Sequence, residues 1–86
     1  MKITNIKIWP VQEEKLKAYV SVVIDEAIMI RDIKIIKLEK GYLVAMPNKR
    51  LKDGTFMDIT HPINVEARSI LEKAVMAAYE ESIKSK

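Results

Sequence analysis

Between Thr60 and Asn64 the apolar residues of this chain change their spacing, and that change constrains the fold more than any other feature. Before it, apolar residues recur at every second position. After it, they recur at every third and fourth. A period of two puts one face of a strand against a core, and the three-four spacing lays a stripe along one side of a helix. The chain therefore reads as strands first and one helix last.

The strand region divides at its turn signals. In "ITNIKIWPV" the residues Thr4, Ile6 and Ile8 share one phase and Asn5, Lys7 and Trp9 the other. Pro10 has no N–H to donate, which places it at a strand end or on a sheet edge. "QEEK" is a turn. "LKAYVSVVI" is the clearest strand, with Leu16, Ala18, Val20, Val22 and Ile24 on one face. "DEA" turns the chain into "IMIRDIKIIKL", whose phase slips at Ile35-Ile36. A bulge, a bend, or burial of both faces accounts for the slip. "EKG" is a turn in which Gly41 is free to take positive φ. "YLVAM" is a short strand stopped by Pro47. "NKRLKDGT" reads as a loop turned by Asp53-Gly54, and "FMDIT" as a last short strand.

Asn64 is a good N-cap, and Glu66 sits in the first turn, where the helix dipole favours an anion. Ala67, Ile70, Leu71, Ala74, Val75, Ala78 and Tyr79 then line one helical face. Arg68 and Glu72, and Glu80 and Lys84, are opposite charges four apart. The helix is expected to run to the chain's end. Five strands with short turns followed by one helix define an α+β layer: a five-stranded antiparallel β-meander with the C-terminal helix packed on one face. At 86 residues this is one domain, residues 1–86, with a small core. The helix leaves one sheet face and the edges open, and dimerisation through an edge is the simplest way to cover them.

Composition removes several function classes. The chain has no cysteine, which excludes disulfides and thiolate metal sites and fits a reducing compartment. "MKITNIKIWP" lacks the apolar core of a signal peptide, and no segment approaches a membrane span. A soluble, intracellular protein is expected. There is no glycine-rich phosphate cradle, zinc spacing or nucleophile elbow. His61 is the one side chain suited to acid–base work near neutral pH, with Asp58 three residues before it. No nucleophile or second metal ligand accompanies it in a known spacing, so tying down a turn is its expected role. Asp53, Asp58 and Glu66 each have a local task, at a turn, a strand surface and a helix N-terminus. No enzymatic activity, cofactor, metal or small-molecule substrate is expected. Trp9 and Tyr19 share a face if the first two strands pair. By themselves these two are stacking candidates rather than a single-strand platform, and core or interface packing is their expected use.

The net charge is +3, and its distribution is uneven. From Arg31 to Lys52 there are seven basic residues against two acidic, a net +5 that leaves −2 for the remainder. A basic region on an otherwise balanced chain is the footprint of a polyanion partner; ordinary solvated lysines give the same count. In "PNKRLKDG" the side chains of Lys49, Arg50 and Lys52 project from a turn stapled by Pro47 and Asp53-Gly54. In a symmetric dimer they make about six phosphate contacts, with a log–log salt slope near −0.9 for each. Arg50 also has the fork that reads guanine. A solvated hairpin tip accounts for the same residues, and the sequence does not choose between the two.

The run "RDIKIIKLEKGYLVAMPNKRLKDGTFMDITHPIN", residues 31–64, resembles the signature of the SpoVG family, the stage V sporulation protein G and septation proteins of bacteria. Asp32-Ile33, "VAMP" at 44–47, Lys49-Arg50, Asp53-Gly54 and "DITHPI" at 58–63 carry the likeness. "MKITNIKI" and the helix extend it over the chain. The resemblance implies a homodimeric α+β regulator in the cytoplasm. It implies binding of DNA, and in some members RNA, with effects on septation, sporulation, cell division or gene expression. Carried onto this sequence, it makes Lys49, Arg50 and Lys52 nucleic-acid contacts, and Arg68 a further one. Many members have an acidic extension after the helix, whereas this sequence ends at "ESIKSK", so the tail's role is expected to be absent. Leu51 stands where the family's loops more often carry a small polar residue. The rival expectation is a protein–protein adaptor that docks through an exposed sheet edge without nucleic acid.

Overall fold

The computed structural model of the protein describes residues 2–84. Its elements are β1 (Ile3–Pro10), β2 (Leu16–Ile24), β3 (Ile28–Leu38), β4 (Gly41–Ala45), β5 (Asn48–Arg50), β6 (Phe56–Asp58) and α1 (Val65–Lys84). The first four strands form one antiparallel sheet in the order β1-β2-β3-β4, and β5 and β6 form a separate two-stranded sheet. The α+β class and the meander therefore hold, but the strand count is six in two sheets rather than five in one. The extra strand is Asn48–Arg50, expected to lie in a loop. Three polar residues carry no alternation that marks a strand, and their extended form depends on pairing with β6. Residues 85 and 86, onto which the helix was expected to run, lie outside the described residues.

The alternating pattern of β2 decides where the core sits. Ala18, Val20 and Val22 are buried, joined by Ile33 and Ile35 of β3 and Val44 of β4. Leu71, Val75 and Tyr79, one turn apart along α1, close the core from above. Ile6 and Ile8 of β1 pack against its margin. The expected helical face is thus the packed one, except that Ile70 stays exposed. Asn64 caps the helix as expected: the Ala67 N–H donates to its Oδ1 at 2.7 Å. At the far end of the face the rings of Tyr42 and Tyr79 meet edge to face, with centroids 5.6 Å apart.

Three irregularities adjust the register. Ile3 pairs with Ile24 and Asn5 with Val23, so Thr4 is an extra residue in β1. Leu16 pairs with Ile36 and Ala18 with Ile35, so Lys17 is extra in β2. That bulge lies on β2 beside Ile35-Ile36, while within β3 the two isoleucines follow ordinary alternation, Ile35 to the core and Ile36 to the open face. Between Val20–Ile33 and Val22–Ile30, Arg31 and Asp32 both stand opposite Ser21. Asp32 takes φ 62° there, a conformation that costs an L-residue about 1 kcal/mol.

The β2–β3 turn carries the same kind of strain and a visible compensation. Asp25 and Glu26 have φ of 53° and 54°, and the Ala27 N–H donates to the Ile24 carbonyl at 2.9 Å. Positive φ at both central residues gives the turn a twist that matches its strands. Strand β1 clasps it. The Asp25 N–H donates to the Lys2 carbonyl at 2.8 Å, the Lys2 N–H donates to Asp25 Oδ1 at 3.1 Å, and the Glu26 N–H donates to Thr4 Oγ1 at 3.0 Å.

Candidate nucleic-acid interface

The segment between Pro47 and Ile59 is a ribbon with its own hydrogen bonds. Asn48 pairs with Asp58, Lys49 with Met57 and Arg50 with Phe56. At its root the Ile59 N–H donates to the Pro47 carbonyl at 2.7 Å, and at its tip the Leu51 N–H donates to the Thr55 carbonyl at 2.7 Å. The Gly54 N–H closes the turn onto the Leu51 carbonyl at 3.0 Å. Gly54 has φ 90°, a value that strains any residue with a Cβ. Asp53 fixes the turn from inside. Its Oδ1 accepts the Thr55 hydroxyl at 2.6 Å and the Thr55 N–H at 3.0 Å. These bonds, the hydroxyl's first, hold the Asp53 carboxyl below its ordinary value of 3.8.

Every residue of β5 and β6 is exposed. Lys49, Arg50 and Lys52 form no ion pair among the described residues. Because side chains alternate along a strand, Lys49 and Arg50 leave opposite faces of the ribbon. Arg50 shares its face with Asn48, Phe56 and Asp58, and its Nη2 lies 3.9 Å from where a Cβ on Gly54 would be. Lys49 shares the other face with Met57, and Lys52 sits in the tip. The basic triplet is therefore spread around an arm rather than gathered on one side.

Arg68, in the first turns of α1, faces the arm's root and borders a shallow depression with Phe56, Met57, Asp58 and His61. The fold thus brings Arg68 to β6, near the arm that carries the other three cations. His61 Nδ1 lies 3.1 Å from the Pro62 carbonyl oxygen, a local backbone contact of the kind expected of a turn-fixing histidine. Among the described residues no three His, Cys, Asp or Glu side chains gather as a metal site would require.

Two further features stand out, of which sequence reasoning missed the first and expected a different use for the second. One is an apolar cleft of about 510 Å³ between the β2–β3 turn, the arm's root and α1, lined by Ile28, Ile30, Met46, Pro47, Ile59 and Leu71 among others. Its walls come from four separate segments, so no local pattern announces it. The other is the open sheet face. Trp9 and Tyr19 are register partners there and both are exposed. Their alternation with buried neighbours was the available signal, and core packing is not their use.

Fold and site together define a helix-covered antiparallel sheet that holds out a cationic two-stranded arm. No helix among the described residues is long and apolar enough to cross a membrane. The SpoVG family model matches residues 1–81 of this chain. The chain is 48% identical over 85 residues to "Putative septation protein SpoVG" of Bdellovibrio bacteriovorus, covering 99% of this chain and 79% of the relative. It is 46% identical over 80 residues to the protein of the same name from Myxococcus xanthus, covering 93% and 81%. It is 43% identical over 84 residues to that from Clostridioides difficile, covering 96% and 91%. The chain belongs to the SpoVG family.

Proposed function

We propose that this chain is a non-enzymatic, homodimeric nucleic-acid-binding regulator, working in the cytoplasm in a process related to septation, for which its relatives are named. The observation that carries the reading is the arm: a two-stranded ribbon with three exposed cations and, among the described residues, no carboxylate partner for them. A two-stranded ribbon is one of the elements that fits the major groove of duplex DNA. The deep, narrow major groove of duplex RNA does not admit one, so duplex DNA is the arm's first ligand. With the arm inserted, the face bearing Asn48 and Arg50 looks toward base edges, where arginine forks guanine and asparagine forks adenine. Lys49 on the other face, Lys52 at the tip and Arg68 behind the root meet phosphates, which set position rather than sequence.

The homodimer is supported by apolar surface near the arm's root. Phe56, Ile59, Ile63 and Val65 are all exposed, Ile63 at 87% and Val65 at 82%, and a second copy is the simplest cover. Two copies, each placing Lys49, Lys52 and Arg68 on phosphates, then supply about six contacts, so raising salt from about 50 to 200 mM weakens binding by roughly 10³.

The test is anisotropy of a labelled duplex, chosen by selection from random oligonucleotides, titrated at several salt concentrations. The variant K49A/R50A/K52A is expected to keep its circular dichroism and its dimer, and to lose both affinity and salt slope. Parental affinity and slope in that variant would refute the assignment to the arm. A second reading, an adaptor that adds a partner strand, is favoured by β4, an uncovered edge that keeps Tyr42 and Leu43 exposed. Strand addition is far less sensitive to salt than phosphate contact.

A further inference from the structure

The face of the main sheet turned away from α1 combines stacking surface with positive charge. Trp9 on β1 and Tyr19 on β2 are direct cross-strand partners, and Lys34 on β3 continues the row as the next partner of Tyr19. One step along the strands, Lys7 pairs with Ser21, and the β3 bulge puts Arg31 and Asp32 opposite that serine. Lys7, Trp9, Tyr19, Ser21, Arg31 and Asp32 line one shallow depression of about 370 Å³. Trp9 is 52% exposed and Tyr19 39%, whereas Ser21 at 4% forms a closed floor. Arg31 is held on this face by its Nε, which donates to Met29 Sδ at 3.3 Å.

We propose that this face is a second nucleic-acid site, distinct from the arm, which takes single-stranded nucleic acid by stacking bases on Trp9 and Tyr19 and holding the backbone with Lys7, Arg31 and Lys34. Paired side chains on adjacent strands stand about 5 Å apart, close enough to receive successive bases of one strand. Every base offers a π-face, so such a platform accepts many sequences. Charge argues against the obvious alternative, a second copy of the chain laid face to face. A two-fold pairing gathers two copies each of Lys7, Arg31 and Lys34 into one interface, with Asp32 the one carboxylate among the residues lining the depression. A polyanion meets the same three cations favourably.

Trp9 is the only tryptophan in the chain, so its fluorescence reports on this face and on no other. The probe is a short oligothymidylate, which has no duplex structure of its own. Binding is expected to quench Trp9. Tyr19→Ala is expected to weaken binding by roughly five- to a hundredfold, the loss of one stacked base. Replacing Lys7 and Lys34 by glutamate is expected to abolish binding. Both variants alter exposed or half-exposed positions, and a thermal melt checks their folds. K49A/R50A/K52A is expected to quench like the parent, so failure of the arm reading leaves this test intact. Absence of quenching in the parent would overturn the proposal. So would displacement of the oligonucleotide by base-free polyphosphate at equal phosphate with Tyr19→Ala unaffected, which would mean charge without stacking. A dimer that shields Trp9 from acrylamide and dissociates on Tyr19→Ala would mean that a second copy covers the face.

Discussion

The neighbours Ile35 and Ile36 offer the sharpest test of the register. Ile35 pairs with Ala18 and Val44, is fully buried and lies under the helix. Ile36 pairs with Leu16 and Leu43 and is half-buried on the other face. Truncating a fully buried isoleucine to alanine removes transfer energy and leaves a cavity, a loss of about 2–5 kcal/mol. Truncating one that is half in water, with no cavity sealed behind it, costs about 1 kcal/mol, half the value of full burial. A domain of this length has a stability of about 4–13 kcal/mol, so Ile35→Ala removes a large part of the total and Ile36→Ala a small one. At about 4–8 °C per kcal/mol, the first lowers the melting temperature by about 8–40 °C and the second by about 4–8 °C. Urea unfolding followed by circular dichroism gives the same contrast as midpoint shifts with unchanged slope. Equal losses at the two positions, or a greater one at Ile36, would refute the division of the sheet into a core face and an open face.

Other expectations follow from single contacts. Asn64→Ala leaves the Ala67 N–H without its partner and is expected to lower stability by about 1 kcal/mol, whereas Asn64→Ser is expected to restore most of it; equal melts of the parent and the alanine variant would count against the cap. The carboxyl of Asp53 lies below its ordinary value, so its contribution to the arm's tip is present above about pH 3.8 and is lost as pH falls through the lower folded value. The amide signals of Gly54 and Thr55 are expected to shift together on acidification, and a Thr55→Val variant is expected to move that titration upward. Tyr79 is held above its ordinary 10.0, first by burial and then by neighbouring Tyr42. Its stabilisation is complete below pH 10 and is lost as pH rises toward the folded value. Tyr79→Phe is therefore expected to flatten the alkaline limb of the stability curve, and an unchanged limb would place the responsible group elsewhere.

Much of the fold was legible in the chain because its signals are local. Alternation in "LKAYVSVVI" marked β2 and its core face, the three-four spacing marked Leu71, Val75 and Tyr79, and Asn64 marked the helix start. The long basic and turn-rich signature announced the family. A phase change in β3 was legible, but it was expected at Ile35-Ile36, whereas the strand's surplus residue stands at Arg31-Asp32 opposite Ser21.

What the sequence determined by itself is the order of strands and helix, the face each presents to the core, and the concentration of charge between Arg31 and Lys52. Tertiary structure alone decided that Asn48–Arg50 is a strand, that Lys49 and Arg50 diverge, and that Trp9, Tyr19, Lys34 and Arg31 share an open face. The reason is range. Side-chain period follows from the geometry of a few consecutive residues, whereas register and pairing are set by which distant residues meet, and one added residue on either strand changes which side chains stand together.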